Sequence, residues 1–197
     1  AVYSRGFLLY DGTGYILVYK TSDVKVGDEV AVSGTTTEYG GLQQYPTDGT
    51  EVSVLKAGNG TYTQPKAKTM GSAEFEAYAN APYVAYVTYT GKLTINGNYY
   101  NVAIDGTEKQ GSLAYVPEGM VSADLNGKNV VVYGYTVGSA SKGKYVNTMV
   151  TSVAEAASGA KMNGMRRAAA SKANKSVVYK FDGTAWKTYT TSDAKVM

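Results

Sequence analysis

Along this chain apolar and polar residues alternate over short runs, and a glycine-containing turn closes most of them. Period-two alternation between turns predicts strands with one buried and one wet face. Phe7 to Tyr10 and Tyr15 to Tyr19 flank Asp11-Gly12-Thr13-Gly14. This predicts a hairpin, because glycine accepts the positive φ that tight turns need. Further strands are predicted at Glu29 to Glu38, Leu42 to Tyr45, Glu51 to Lys56, Val84 to Ile95, Tyr99 to Ile104, Val130 to Val137 and Tyr145 to Val153. The stretch from Gly106 to Asn126, with Pro117 and many polar residues, reads as a long excursion. One segment departs from alternation: Ser72-Ala73-Glu74-Phe75-Glu76-Ala77-Tyr78-Ala79. Good helix formers behind a serine in N-cap position predict a short helix, placed to plug a gap between neighbouring units.

A repeat organises these elements. Gly27-Asp28-Glu29-Val30-Ala31-Val32-Ser33-Gly34 returns as Gly127-Lys128-Asn129-Val130-Val131-Val132-Tyr133-Gly134, with glycines and valines kept and the polar positions varied. In each copy a glycine turn feeds a strand of alternating valines, and a second glycine breaks it, as where a small barrel bends. Leu42-Gln43-Gln44-Tyr45 falls near Lys144-Tyr145-Val146-Asn147 when the copies are aligned. The expected fold is all-β, with two tandem small β-barrels at residues 1–60 and 82–155. A connector over 61–81 carries the short helix, a basic linker follows at 156–175, and 176–197 holds a β-hairpin, Val177 to Phe181 and Thr184 to Tyr189 around Asp182-Gly183, either docked on the second barrel or a fragment of a further domain. Ala1-Val2-Tyr3 is already strand-like, so the first barrel's N-terminal strand reads as truncated and a preceding segment is expected to complete it.

Composition narrows the chemistry. The chain has neither Cys nor His. That excludes disulfides, cysteine nucleophiles, Ser-His-Asp triads and the usual zinc sites. No apolar run approaches the length of about 18 residues that suggests a membrane-spanning helix. Asp28 and Glu29 are neighbours on a strand and point to opposite faces, so they do not form an acid–base pair. Asp11-Gly12-Thr13-Gly14 has too few oxygen ligands for a calcium loop. The reading is therefore of a protein that is not an enzyme, with no cofactor and no metal. Tyrosine dominates the aromatic residues, 19 against 3 Phe and 1 Trp. Tyrosine suits half-buried strand faces and wet binding surfaces. The net charge of +3 is uneven: residues 1–75 carry six basic and eight acidic side chains, residues 154–197 eight basic and three acidic. Lys161, Arg166, Arg167, Lys172 and Lys175 form a basic arm with no acid among them.

The segments Gly6-Phe7-Leu8-Leu9-Tyr10-Asp11-Gly12-Thr13-Gly14, Val26 to Gly34 and Tyr39-Gly40-Gly41-Leu42-Gln43-Gln44 resemble an OB-fold module. They are similar to the OB-like modules of secreted bacterial nucleases, and to modules found in tandem in exported and surface lipoproteins of Gram-negative gut anaerobes. Tyr99-Tyr100-Asn101-Val102 and Lys144-Tyr145-Val146-Asn147-Thr148-Met149 resemble the second module of those proteins, and Tyr179 to Trp186 a hairpin motif that follows it. The resemblance implies an extracytoplasmic address, cell-surface, periplasmic or secreted, and a non-enzymatic binding or scaffold role toward a glycan, peptide or protein partner. OB folds bind along strands 2–3 and the flanking loops. This points to Tyr39, Gln43, Gln44 and Tyr45 in the first unit and Tyr99, Tyr100 and Tyr145 in the second. Two alternatives remain open. One is single-stranded nucleic acid stacked on a barrel with the basic arm along its backbone; the near-neutral barrels disfavour it. The other is a structural subunit that assembles through an exposed first-barrel edge.

Overall fold

The computed structural model describes residues 1–58, 62–157, 177–181 and 186–190. Seven strands make up the first half: β1 (Val2–Tyr3), β2 (Gly6–Tyr10), β3 (Tyr15–Val18), β4 (Glu29–Ser33), β5 (Thr37–Tyr39), β6 (Leu42–Tyr45) and β7 (Glu51–Lys56). Turn chemistry sets the β2–β3 hairpin. Asp11 Oδ1 accepts the N–H groups of Thr13 and Gly14 at 2.8 and 2.9 Å, while Gly12 takes φ 94°. The order β1-β2-β3-β6-β5 is antiparallel throughout except for β3 and β6, which run parallel with Leu17 opposite Gln44. Among the described residues β4 pairs with β7 alone. The single strand expected over Glu29 to Glu38 is thus two strands. It breaks at Gly34, where φ is 146° and a Cβ would lie 2.6 Å from the carbonyl oxygen of Gly49.

The second half contains β8 (Lys68–Thr69), helix α1 (Ser72–Asn80), β9 (Tyr86–Asn96), β10 (Tyr99–Ala103), β11 (Gln110–Tyr115), a single 3-10 turn at Ala123–Leu125, β12 (Asn129–Ala140) and β13 (Tyr145–Glu155). Strand β9 pairs antiparallel with both β10 and β12. Strand β10 pairs with β11, β12 pairs with β13, and β11 runs parallel to β13. The register of β12 on β13 shifts between Tyr133 and Gly134, and a Cβ on Gly134 would meet the Met149 carbonyl oxygen at 2.4 Å. Close backbone approach is what glycine in a strand permits.

Three further expectations need correction. The excursion from Gly106 to Asn126 contains a strand, β11, with Gly111, Leu113 and Tyr115 facing inward. The helix begins after Gly71, not Ser72, as its N-cap; the Gly71 N–H donates to Glu74 Oε2 at 2.8 Å. Nor does the helix plug a gap between units. Phe75 and Tyr78 are fully buried in the core of the second half, with Met70, Val87, Tyr89 and Val130.

The first half buries two faces unequally. Leu8 and Leu17 pack against Tyr115, Tyr135, Val137 and Met149 of the second half. Phe7, Val18 and Val24 form a small cluster on the opposite side, with Leu9, Val30, Val32 and Val52 only partly buried around it. Residues Ala1–Ser158 form one compact unit and Gly159–Met197 another. In the latter, β14 (Val177–Phe181) and β15 (Trp186–Thr190) pair antiparallel, Val177 opposite Thr190 and Phe181 opposite Trp186. The chain is mostly β, with several sheets. Among the described residues no helix is long and apolar enough to cross a membrane.

Candidate functional site

A concavity of about 900 Å³ opens where the two halves of the compact unit meet. Its floor comes from β10 and β11, its rims from the β9–β10 turn and the β12–β13 loop, and one wall from Tyr3, Arg5, Tyr19, Tyr39 and Gln44 of the first half. The rim turns are built by glycine and left-handed residues: Gly97 has φ 57°, Ser141 φ 51° and Lys142 φ 56°. Asn96 and Asn98 flank Gly97 and both reach the groove. On the opposite rim the Ser139 N–H donates to the Gly40 carbonyl at 2.8 Å. That contact brings the Tyr39-Gly40-Gly41 turn against the end of β12. A Cβ on Gly40 would sit 2.6 Å from the Ser139 carbonyl oxygen, so only glycine allows this approach, and φ is 61° there.

The wall is a tyrosine cluster. The Tyr3 and Tyr115 rings lie 4.8 Å apart, and Tyr19 meets Tyr115 edge-on at 6.4 Å. Arg5 Nη1 donates to the Tyr19 hydroxyl at 3.4 Å. The Tyr3 hydroxyl is buried and has no hydrogen-bond partner among the described residues. Burial, with Tyr115 and Tyr19 alongside, pushes its pKa far above the ordinary tyrosine range. Burial, reinforced by Tyr39 and Tyr19, raises Tyr115 to about 12. Both phenols are therefore neutral near pH 7. Among the described residues Arg5 is the one charged side chain lining the groove; the rest are Tyr, Asn, Gln, Ser and small apolar residues. The arrangement offers aromatic faces and amide and hydroxyl hydrogen-bonding groups, with Asn147 at its base only 5% exposed.

Five of the seven residues singled out from sequence line this one groove: Tyr39, Gln44, Tyr99, Tyr100 and Tyr145. Tyr99 is 73% exposed and Tyr39 52%. The other two lie elsewhere. Gln43 is exposed and does not line the groove, and Tyr45 packs against the first-half core. Strand alternation sends neighbours to opposite faces. The basic arm, Lys161, Arg166, Arg167, Lys172 and Lys175, lies outside the described residues. Sequence reasoning missed Tyr3, Arg5, Tyr19, Tyr115 and the asparagines. The Asn96-Gly97-Asn98 turn was the available signal for the rim, since hairpin-turn amides next to a strand pair of tyrosines face solvent together. Among the described residues no group of three or more His, Cys, Asp or Glu is placed to hold a metal ion. Comparison with known proteins finds no matching family model, no matching curated protein and no matching solved structure.

Proposed function

We propose that this chain is a non-enzymatic binding module of an exported or cell-surface bacterial protein, and that its groove takes a neutral, hydroxyl-rich ligand, a glycan chain. One observation carries the reading: a groove of about 900 Å³ lined by seven tyrosines, four asparagines and a single charged side chain. Small-ligand sites combine apolar and aromatic walls with a few convergent polar groups. Tyrosine faces suit the apolar faces of sugar rings, and asparagine amides both donate to and accept from hydroxyls. A peptide or protein partner belongs to the same broader reading, using the same amides.

The resemblance to OB folds adds support. We read residues 86–155 as a closed five-stranded barrel of that type. Within this set each of β9 to β13 has two partners, β9 joins β10 to β12, and β9 also carries β8 on its outer end. The groove runs along its second and third strands and between the loops that OB folds use for oligosaccharides and oligonucleotides. The first half reads as an incomplete copy, with β3 parallel to β6 as β11 is to β13. A single-stranded nucleic acid is the competing ligand, favoured by the tyrosine platform. Backbone binding needs several cations along the strand path, and among the described residues the groove lining supplies Arg5 alone.

A glycan array probed with residues 1–197 tests the reading. The expected result is binding to neutral oligosaccharides that changes little between low and physiological salt. Tyr99→Ala and Tyr100→Ala are each expected to weaken it by about tenfold, the size of a modest hot-spot contact. An array with no signal above background, or binding untouched by both substitutions, would overturn it.

A further inference from the structure

The groove floor carries a row of polar side chains. Asn101 of β10 stands opposite Ser112 of β11, and Ser112 stands opposite Asn147 of β13. Residues in register on neighbouring strands share a face, and all three line the groove. That face is turned away from the core of the second half. Val146 and Thr148, on either side of Asn147, are fully buried on the other face, where the Tyr89 hydroxyl donates to the Thr148 hydroxyl at 2.9 Å. The hydrogen bonds that side chains make nearby, Tyr89 with Thr148, Tyr86 with Thr151 and Asn126 with the Ile95 N–H, involve none of the three. Among the described residues no partner meets the side chain of Asn101, Ser112 or Asn147.

Asn147 decides what the row is for. It is only 5% exposed, although it faces outward from its sheet and lines the groove. Buried polar side chains are as a rule hydrogen-bonded. An amide that is nine-tenths buried, unpaired and open to a groove marks where a ligand group completes the pairing. A primary amide presents donors and an acceptor in one plane, and another amide meets both with a single rigid group. The neighbouring strand adds a second requirement. The register of β11 on β13 shifts between Ser112 and Tyr115. Bulges re-aim side chains, and here Ala114, Tyr115 and Val116 all line the groove, three consecutive residues that a regular strand would send to alternate faces. They set apolar surface beside the floor amides. An amide with a methyl at its side is an acetamido group, and it fits both features. A hydroxyl held directly on a sugar ring has no methyl to place there.

We infer that the groove floor is a subsite for the acetamido group of a 2-acetamido sugar, with Asn147 as the residue that determines this specificity. The inference rests on the glycan reading above and names the sugar class. The ring lies against Tyr99, 73% exposed at the rim, and the acetamido arm points down to the floor. There Asn147 Oδ1 accepts the N–H of the arm and Nδ2 donates to its carbonyl oxygen. The methyl meets Ala114 and Val116.

The test compares two trisaccharides that differ only in this group, by titration calorimetry on the full 197-residue chain. One is triacetylchitotriose; the other is cellotriose, which carries hydroxyls in place of the acetamido groups. Triacetylchitotriose is expected to bind at least about tenfold tighter. Asn147→Leu should bring the two to within about twofold of each other by weakening the acetylated sugar alone. A merely structural role for Asn147 would weaken both alike, and that result would overturn the inference. Should Asn147→Leu fail to fold, nuclear Overhauser contacts in the unaltered protein decide: acetyl methyl protons should meet Tyr115 and Val116, and contacts only elsewhere would overturn it. Equal or tighter binding of cellotriose overturns the inference and leaves the glycan reading standing. Binding of neither trisaccharide overturns it as well, and the glycan reading falls with it only if the array is also silent.

Discussion

Val30 and Val130 hold the same position in two copies of one motif, and their surroundings differ sharply. Val130 is fully buried between β9 and β13; Val30 is half-buried on a strand that, among the described residues, has a single partner. Leu9 and Val102 repeat the contrast on the next strand, partly buried in the first half and fully buried in the second. The lesson is that burial is supplied by the neighbouring strand and not by the residue. One motif gives a core position where β9 flanks it and a half-buried one where, among the described residues, no second strand does.

The largest expected effect breaks the comparison directly. Val130→Ala removes buried methyl groups from a closed core and should cost about 2–3 kcal/mol in denaturant unfolding. Val30→Ala, already part-exposed, should cost less than about 1 kcal/mol. Equal losses would mean that the two copies are packed alike after all. Next comes Tyr78→Phe. The Tyr78 hydroxyl donates to the Tyr83 carbonyl at 2.9 Å and accepts the Gly138 N–H at 3.0 Å, deep in the second half. Its removal should cost about 1–3 kcal/mol, while Tyr133→Phe on the exposed face changes nothing measurable.

Gly40→Ala sharpens the junction between the halves. The left-handed backbone and the approach to Ser139 together predict a loss of about 1–2 kcal/mol. A weakened groove ligand should accompany it, since Tyr39 rides on that turn. Stability unchanged in a thermal melt would count against the turn's close docking. The smallest effect is electrostatic and confined to the first half. Backbone N–H groups of Gly14 and Thr13, with the Thr13 hydroxyl, hold Asp11 down at about 2. An unfolded aspartate titrates at about 3.9. The carboxylate's contribution is therefore complete above about pH 4 and lost as pH falls through about 2. A carboxyl NMR titration giving an ordinary aspartate midpoint would remove this turn from the account.

Hairpins were the readable part of this fold. Asp11-Gly12 and Asn96-Gly97 sit between alternating runs, and each turns two adjacent strands whose pairing is local. Strand β11 was not readable, because the inward position Gly111 carries no side chain to signal it. A Cβ there would lie 2.6 Å from the Tyr89 ring, so the glycine makes room for a residue from another strand. The helix start was misplaced for a similar reason: Gly71 caps through its backbone, leaving Ser72 as a decoy. The groove was legible in part. Strand tyrosines beside turns marked Tyr39, Tyr99, Tyr100 and Tyr145. Tyr3, Tyr19 and Tyr115 join them only through packing between strands distant in sequence, and periodicity names a strand's face without naming what it meets.

Ring NMR of specifically labelled tyrosines, followed during titration with a neutral oligosaccharide and separately with poly-dT at low and physiological salt, tests the central claim most directly. The account predicts that the oligosaccharide shifts Tyr3, Tyr99, Tyr100, Tyr115 and Tyr145 together at both salt concentrations, with Tyr83 and Tyr133 silent. Shifts produced by poly-dT alone and abolished by salt, or oligosaccharide shifts confined to tyrosines outside the groove, would contradict it.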